Sequence, residues 1–256
     1  MKPNLLILGG TSEASALAKA VSDAGIDGVF SYAGRVEKPR LQPLPIRTGG
    51  FGGVDGLANW LRENAVSHVV DATHPFAAQM SRNAIAACQQ MNNIPLIALT
   101  RPPWVAQAGD CWQHVPDIPA AVRALEGARQ RVMLAIGRMH LESFAPLRQH
   151  FYLLRLVDVP GTLPFPEYAV EVSRGPFTLH GDRALMERHA IDLVVSKNAG
   201  GSAARAKIDA ARELGIPVLM IDRPALPDRQ ETHDIQDVMR WLSHTPSGVS
   251  GTDLGV

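Results

Sequence analysis

Short apolar runs alternate with amphipathic stretches along this chain. Leu5-Leu6-Ile7-Leu8 is an unbroken apolar run, and residues 14–24 follow as an Ala-rich helical pattern closed by Gly25. Residues 29–32 give a second short run, and in 54–64 the side chains of Leu57, Trp60 and Leu61 share one helical face. A strand over 68–71, a helix over 76–91 and a strand over 96–99 continue the rhythm. Strands that are apolar throughout suit a parallel sheet covered on both faces. Their regular alternation with helices predicts a doubly wound α/β fold.

Arg101-Pro102-Pro103-Trp104 interrupts the rhythm, and the paired prolines mark a linker. Beyond it, the pattern predicts helices over 118–125, 182–189, 203–214 and 235–242. Strands are expected over 132–136, 152–156, 191–195 and 218–221. The expected architecture is two Rossmann-like α/β domains with parallel sheets and an interdomain cleft. Residues 1–100 form the first domain and 101–243 the second, with a flexible tail over 244–256, which is poor in apolar side chains.

Composition narrows the function classes. The formal net charge of the 256 residues is zero, so no basic face for nucleic acid is expected. The two cysteines, Cys88 and Cys111, share no metal-type spacing with each other or with His, which argues against a zinc site or a disulfide framework. No apolar run approaches the roughly 18 residues of a membrane span. The opening run is too short for a signal peptide and is broken at once by Gly9-Gly10-Thr11. The expectation is a cytoplasmic protein with reduced thiols and no metal.

Candidate chemistry lies where apolar runs meet glycines. Leu8-Gly9-Gly10-Thr11-Ser12-Glu13 reads as strand, glycine turn and helix start, with Thr11 or Ser12 as the cap. Free amides and the positive end of a helix dipole suit a phosphate there. A plain strand–helix turn would use the same residues. The second run ends Ser31-Tyr32-Ala33-Gly34-Arg35, with an arginine and no acid at the strand end. NAD-binding folds often place an acid there for the ribose, whereas an arginine can meet the 2′-phosphate of NADP. Arg35 therefore favours NADPH, its alternative being a solvated surface charge. Arg47-Thr48-Gly49-Gly50-Phe51-Gly52-Gly53 and Asp71-Ala72-Thr73-His74-Pro75-Phe76 fall at further strand ends. Pro75 can open the following helix at its first position, with Thr73 or His74 near the cap.

The second half repeats the device. The strand over 191–195 runs into Ser196-Lys197-Asn198-Ala199-Gly200-Gly201-Ser202. This lacks the order of an ATP-binding P-loop, but Lys197 beside exposed amides suits an anion. Ile136-Gly137-Arg138, with His140, ends another strand, and Ser173-Arg174-Gly175-Pro176-Phe177 is a further polar loop. Arg138, Lys197 and Arg174 together suggest an acidic ligand. A short-chain reductase would carry Tyr-x-x-x-Lys, and none of Tyr32, Tyr152 and Tyr168 has Lys four residues on. A nucleotide-sensing module without turnover is the alternative from a different class.

These segments, in this order, resemble the precorrin-6A reductase family; Asp71-Ala72-Thr73-His74-Pro75-Phe76 and Lys197-Asn198-Ala199-Gly200-Gly201 are the most specific of them, and Lys207-Ile208-Asp209-Ala210-Ala211-Arg212 and Ile221-Asp222-Arg223-Pro224 also match. The resemblance covers the chain to about Trp241. It implies NADPH-dependent reduction of one double bond in a tetrapyrrole macrocycle, hydride reaching C19 and a proton C18. It also implies that Gly9, Gly10, Thr11 and Ser12 face the pyrophosphate and that Arg35 faces the 2′-phosphate. Tyr32, Gly49, Gly50, Thr73 and His74 then lie along the nucleotide. Lys197, Asn198, Gly200 and Gly201 meet cofactor or substrate, with Arg138 and Arg174 for substrate carboxylates. No catalytic acid is assigned: His74, Lys197 and water are all chemically able.

Overall fold

The computed structural model describes residues 3–34, 40–156, 161–173, 175, 177–202 and 204–244. It divides into two compact units, Met1–Arg101 joined by the segment that begins at Ala225, and Pro102–Pro224. The first unit holds β1 (Asn4–Leu8), α1 (Ser12–Asp23), β2 (Asp27–Tyr32), β3 (Ile46–Thr48), α2 (Gly53–Glu63), β4 (His68–Asp71), α3 (Ala78–Gln90) and β5 (Leu96–Leu99). The second holds β6 (Trp112–Val115), α4 (Ile118–Ala124), β7 (Arg131–Ala135), a 3-10 segment (Arg138–Phe144), β8 (Phe151–Leu156), β9 (Tyr168–Val172), α5 (Leu179–Arg188), β10 (Leu193–Lys197), α6 (Ala206–Leu214) and β11 (Val218–Ile221). The chain then returns to the first unit as β12 (Gln230–Thr232) and α7 (Ile235–His244).

Each unit carries a six-stranded sheet, ordered β12-β5-β4-β1-β2-β3 and β6-β11-β10-β7-β8-β9. All of the strand pairings are parallel. Both are the doubly wound order of dinucleotide-binding folds, with the reversal at β1/β4 and at β7/β10. In the first unit the sixth strand, β12, comes after the whole second unit; in the second unit the corresponding strand, β6, comes first.

The uninterrupted apolar strands are explained by cover on both faces. Leu5 and Ile7 pack with Leu17, Val21, Val238 and Leu242 beneath α1 and α7. Leu6 and Leu8, pointing the other way, pack with Leu57, Leu61, Ala84 and Cys88 beneath α2 and α3. In the second unit Met133, Val194 and Met220 meet Leu185, Met186 and Ile208 of α5 and α6.

Three expectations need correction. The second domain does not extend to residue 243. Thr232 pairs with Leu99, and Val238 and Leu242 are buried in the core of the first unit, so the C-terminal helix completes that unit. Of the expected tail, residues from 245 onward lie outside the described residues. The third helix starts at Ala78, not 76, because Pro75 and Phe76 belong to a turn in which the Ala77 amide donates to the His74 carbonyl at 2.7 Å. The strand expected over 191–195 is shifted two residues on, so that Lys197 closes it. Among the described residues no helix is long and apolar enough to cross a membrane.

Candidate functional site

The turn between β1 and α1 is shaped by what surrounds Gly9. A Cβ there would lie 2.1 Å from Phe30 Cζ, so only glycine lets the chain pass over that buried ring. Thr11, not Ser12, caps α1. Its Oγ1 accepts from the Ala14 amide (3.1 Å) and donates to the Ala72 carbonyl (2.8 Å), which ties the ends of β1 and β4 together. The Thr11 hydroxyl is thus committed within the protein, and what the turn offers a ligand is backbone N–H at a helix N-terminus. Ser12 is exposed and donates to Glu13 Oε2 at 3.0 Å. Glu13 also faces Arg101, 3.1 Å away.

Next along the sheet, the end of β2 and the glycine loop after β3 touch: a Cβ at Gly34 would fall 3.3 Å from Gly49 Cα. Arg47 organises that loop. Its guanidinium donates to the Gly49 and Gly50 carbonyls at 2.5 and 2.6 Å and to Ser31 Oγ at 3.2 Å. It also lies 3.6 Å from the Phe51 ring centroid. With those carbonyls held back by Arg47, the space in front of the loop stays open: a Cβ at Gly10, Gly49 or Gly50 would meet nothing within 4 Å. A backbone cradle with open space before it and a helix N-terminus behind it fits a dinucleotide phosphate. Tyr32 is half-buried, its hydroxyl donating to the Arg40 carbonyl (2.9 Å) and accepting from Gln42 Nε2 (2.5 Å). Arg35 lies outside the described residues.

At the end of β4, Asp71 is buried. Its Oδ1 accepts from the Thr73 amide (3.1 Å) and hydroxyl (2.7 Å), and its Oδ2 from Ser81 Oγ (2.6 Å) and from Arg229. The carboxylate therefore fixes the turn that carries Thr73 and His74. His74 is exposed, and its Nδ1 accepts from the Phe76 amide at 3.2 Å.

In the second unit the loop after β10 is clamped by the linker. Asn198 Oδ1 accepts from the Trp104 amide (2.8 Å), and its Nδ2 donates to the Trp104 carbonyl (3.0 Å). Trp104 Nε1 donates to the Gly201 carbonyl at 2.7 Å, and Arg223 Nε to the Asn198 carbonyl at 3.0 Å. A Cβ at Gly200, whose φ is +71°, would lie 2.2 Å from the Pro102 carbonyl oxygen. The buried side-chain amide of Asn198 thus joins linker to loop. Lys197, at the carboxyl end of β10, and exposed Arg138, just beyond β7, stand on neighbouring strands. Arg174 lies outside the described residues.

The structure thus brings Gly9, Gly10, Thr11, Ser12, Tyr32, Gly49, Gly50, Thr73 and His74 to the carboxyl ends of adjacent strands β4, β1, β2 and β3 of one sheet. It brings Lys197, Asn198, Gly200, Gly201 and Arg138 to the carboxyl ends of β10 and β7 of the other. Sequence reading passed over Arg47, Trp104 as a clamp, and Arg229. Arg47 adjoins a glycine run, a signal that was there to use; Arg229 lies far along the chain in a polar stretch and gave none.

Comparison with known proteins places the chain in a family. A family model described as precorrin-6x reductase CbiJ/CobK matches residues 4–243. The precorrin-6A reductase of Rhodobacter capsulatus is 57% identical over 249 residues, covering 96% of this chain and 99% of that protein. That of Rhodococcus erythropolis is 46% identical over 240 residues, covering 93% and 96%. A solved structure of CobK precorrin-6A reductase superposes with a TM-score of 0.89 at 56% identity, covering 96% of this chain and 100% of that one. The chain belongs to the precorrin-6x reductase family.

Proposed function

We propose that this protein is a cytoplasmic, NADPH-dependent precorrin-6A reductase of cobalamin biosynthesis, delivering hydride to C19 and a proton to C18 to give precorrin-6B. The observation that carries the cofactor reading is the open backbone cradle at Gly10, Gly49 and Gly50, in front of a helix N-terminus at the carboxyl edge of a doubly wound sheet. The reductase activity and its substrate come from the family and from the names of relatives matched over nearly their whole length.

Reduced nicotinamide, when bound, supplies the hydride. The chain's own residues bind and orient. The amides of the β1–α1 turn take the pyrophosphate, with Ser12 beside them. Arg35 pairs with the 2′-phosphate as a two-pronged donor. Gly49 and Gly50 admit the nucleotide close to the backbone, and the turn of Thr73 and His74 lines its path. Lys197, Arg138 and Arg174 meet the acetate and propionate carboxylates of the macrocycle, positive side chains on a chain of zero net charge. Holding donor and acceptor carbons together with water excluded supplies much of the rate.

Anaerobic incubation with precorrin-6A tests this directly. The expected result is stoichiometric loss of NADPH absorbance with a changed pigment spectrum, and NADH weaker by about tenfold or more. Binding of NADPH with neither spectrum changing, for the metal-free pigment and for its cobalt complex alike, would move the assignment to a nucleotide-sensing module.

A further inference from the structure

Arg229 lies in the segment that returns from the second unit, immediately before β12. In the sheet, Gln230 is in register with Ile97 of β5, and Ile97 with Val70 of β4. Two strand spacings, about 10 Å, therefore separate the Arg229 backbone from β4. A long side chain crosses β5 and places its Nη1 on Asp71 Oδ2. Both side chains are almost wholly withdrawn from water, Arg229 10% and Asp71 1% exposed. On the outer side, Arg229 Nε is held by Glu231 Oε1 at 2.9 Å.

Asp71 is the hub of the turn at the end of β4, where Thr73 is bound twice through Oδ1 and Ser81 once through Oδ2. A buried carboxylate keeps that acceptor role only while its charge is balanced. Arg229 forms an ion pair with it. Glu231 in turn keeps the guanidinium from swinging out to solvent.

We infer that Arg229 is a positioning residue for the cofactor: by fixing the Asp71 carboxylate in place, it sets the Thr73–His74 turn in the geometry that receives NADPH. The inference rests on the nucleotide reading above and deepens it. The cofactor crevice of the first unit is completed by the last part of the chain, and by a residue that does not itself touch the ligand.

The test is NADPH titration of the full-length protein by cofactor fluorescence, followed by steady-state kinetics, for the parent, Arg229→Gln and Arg229→Lys. For Arg229→Gln, the expected result is Kd and KM for NADPH raised about tenfold or more, with kcat at saturating NADPH within about twofold of the parent. Arg229→Lys keeps the charge and loses the fork and the Glu231 contact, so a rise of about threefold is expected. A merely structural role would lower the active fraction, reducing kcat with KM unchanged, and that result would overturn the inference. So would parental Kd in both variants. If Arg229→Gln does not fold, Arg229→Lys decides alone: a weaker Kd supports the inference and an unchanged one sinks it. If the parent itself fails to bind NADPH, it is the nucleotide reading that falls.

Discussion

Two single residues carry measurable consequences of opposite sign. Phe30, whose ring lies under Gly9, is fully buried and packed against Leu5, Ile7 and Leu17, so it has nowhere to go when a methyl group arrives 2.1 Å from its edge. Gly9→Ala is expected to cost about 1–3 kcal/mol through overpacking and to displace the β1–α1 turn. Thermal unfolding and NADPH titration would both register it; an unchanged Tm would mean that the ring yields. Lys207 works the other way. It sits in the first turn of α6, its Nζ donating to the Ala204 carbonyl at 2.6 Å and lying 4.8 Å from the Trp104 ring centroid. Burial lowers it from 10.5 to about 8; the Arg155 charge adds to the lowering, and Asp182, which pairs with Arg155, opposes it. Between about 8 and 10.5 the unfolded chain holds a proton that the folded chain has released, so stability rises with pH through that window. Below it the folded protein carries the full cost of the buried charge, on the order of 3 kcal/mol. Lys207→Met removes that cost together with the carbonyl bond and the ring contact. It is expected to gain roughly 1–2 kcal/mol at neutral pH and to flatten the slope. Urea unfolding of parent and variant at about pH 7 and about pH 10 decides it; identical slopes would assign the pH dependence to another group.

At the scale of elements, what the sequence makes legible follows from burial. β1, β4, β5, β8 and β11 are near-continuous apolar runs because helices cover both faces, and each was readable as such. The strands that escaped reading, β3, β6, β9 and β12, are the four outer strands of the two sheets. An outer strand is paired on one side and partly solvated, so it carries polar or exposed side chains such as Arg47, Gln113, His114 and Glu231 and shows no apolar run. The glycine turns were legible for a related reason, since a close approach such as Gly9 over Phe30 admits no other residue. The clamp around the second glycine loop was not. Asn198 in that loop looks like a ligand contact by residue type, and its pairing with Trp104, 94 positions away, exists only in the fold.

At the scale of the molecule, the chain leaves the first unit at Arg101 and re-enters it at Ala225, and the domain boundary drawn from sequence failed for that reason. Proline pairs and loss of rhythm mark an exit, but nothing in the short stretch 225–230 announces a return. The return is costly to lose. Val238 and Leu242, 0% and 3% exposed, are together worth about 4 kcal/mol of burial, a large share of the roughly 5–15 kcal/mol that holds a domain. Without β12, moreover, the edge of β5 is bare, and without Arg229 the buried Asp71 carboxylate loses that ion pair. The second unit has no such debt, because all six strands of its sheet lie between Trp112 and Ile221. A chain ended after Pro224 is therefore expected to keep a protease-resistant core spanning the second unit, while the first is digested rapidly and NADPH binding is lost. Limited proteolysis with mass identification of the fragments reads this out, full-length protein serving as the control. Survival of an intact first unit that still binds NADPH would show that the burial of Val238 and Leu242 and one ion pair contribute less than their geometry implies, and that β1 to β5 suffice to build the crevice.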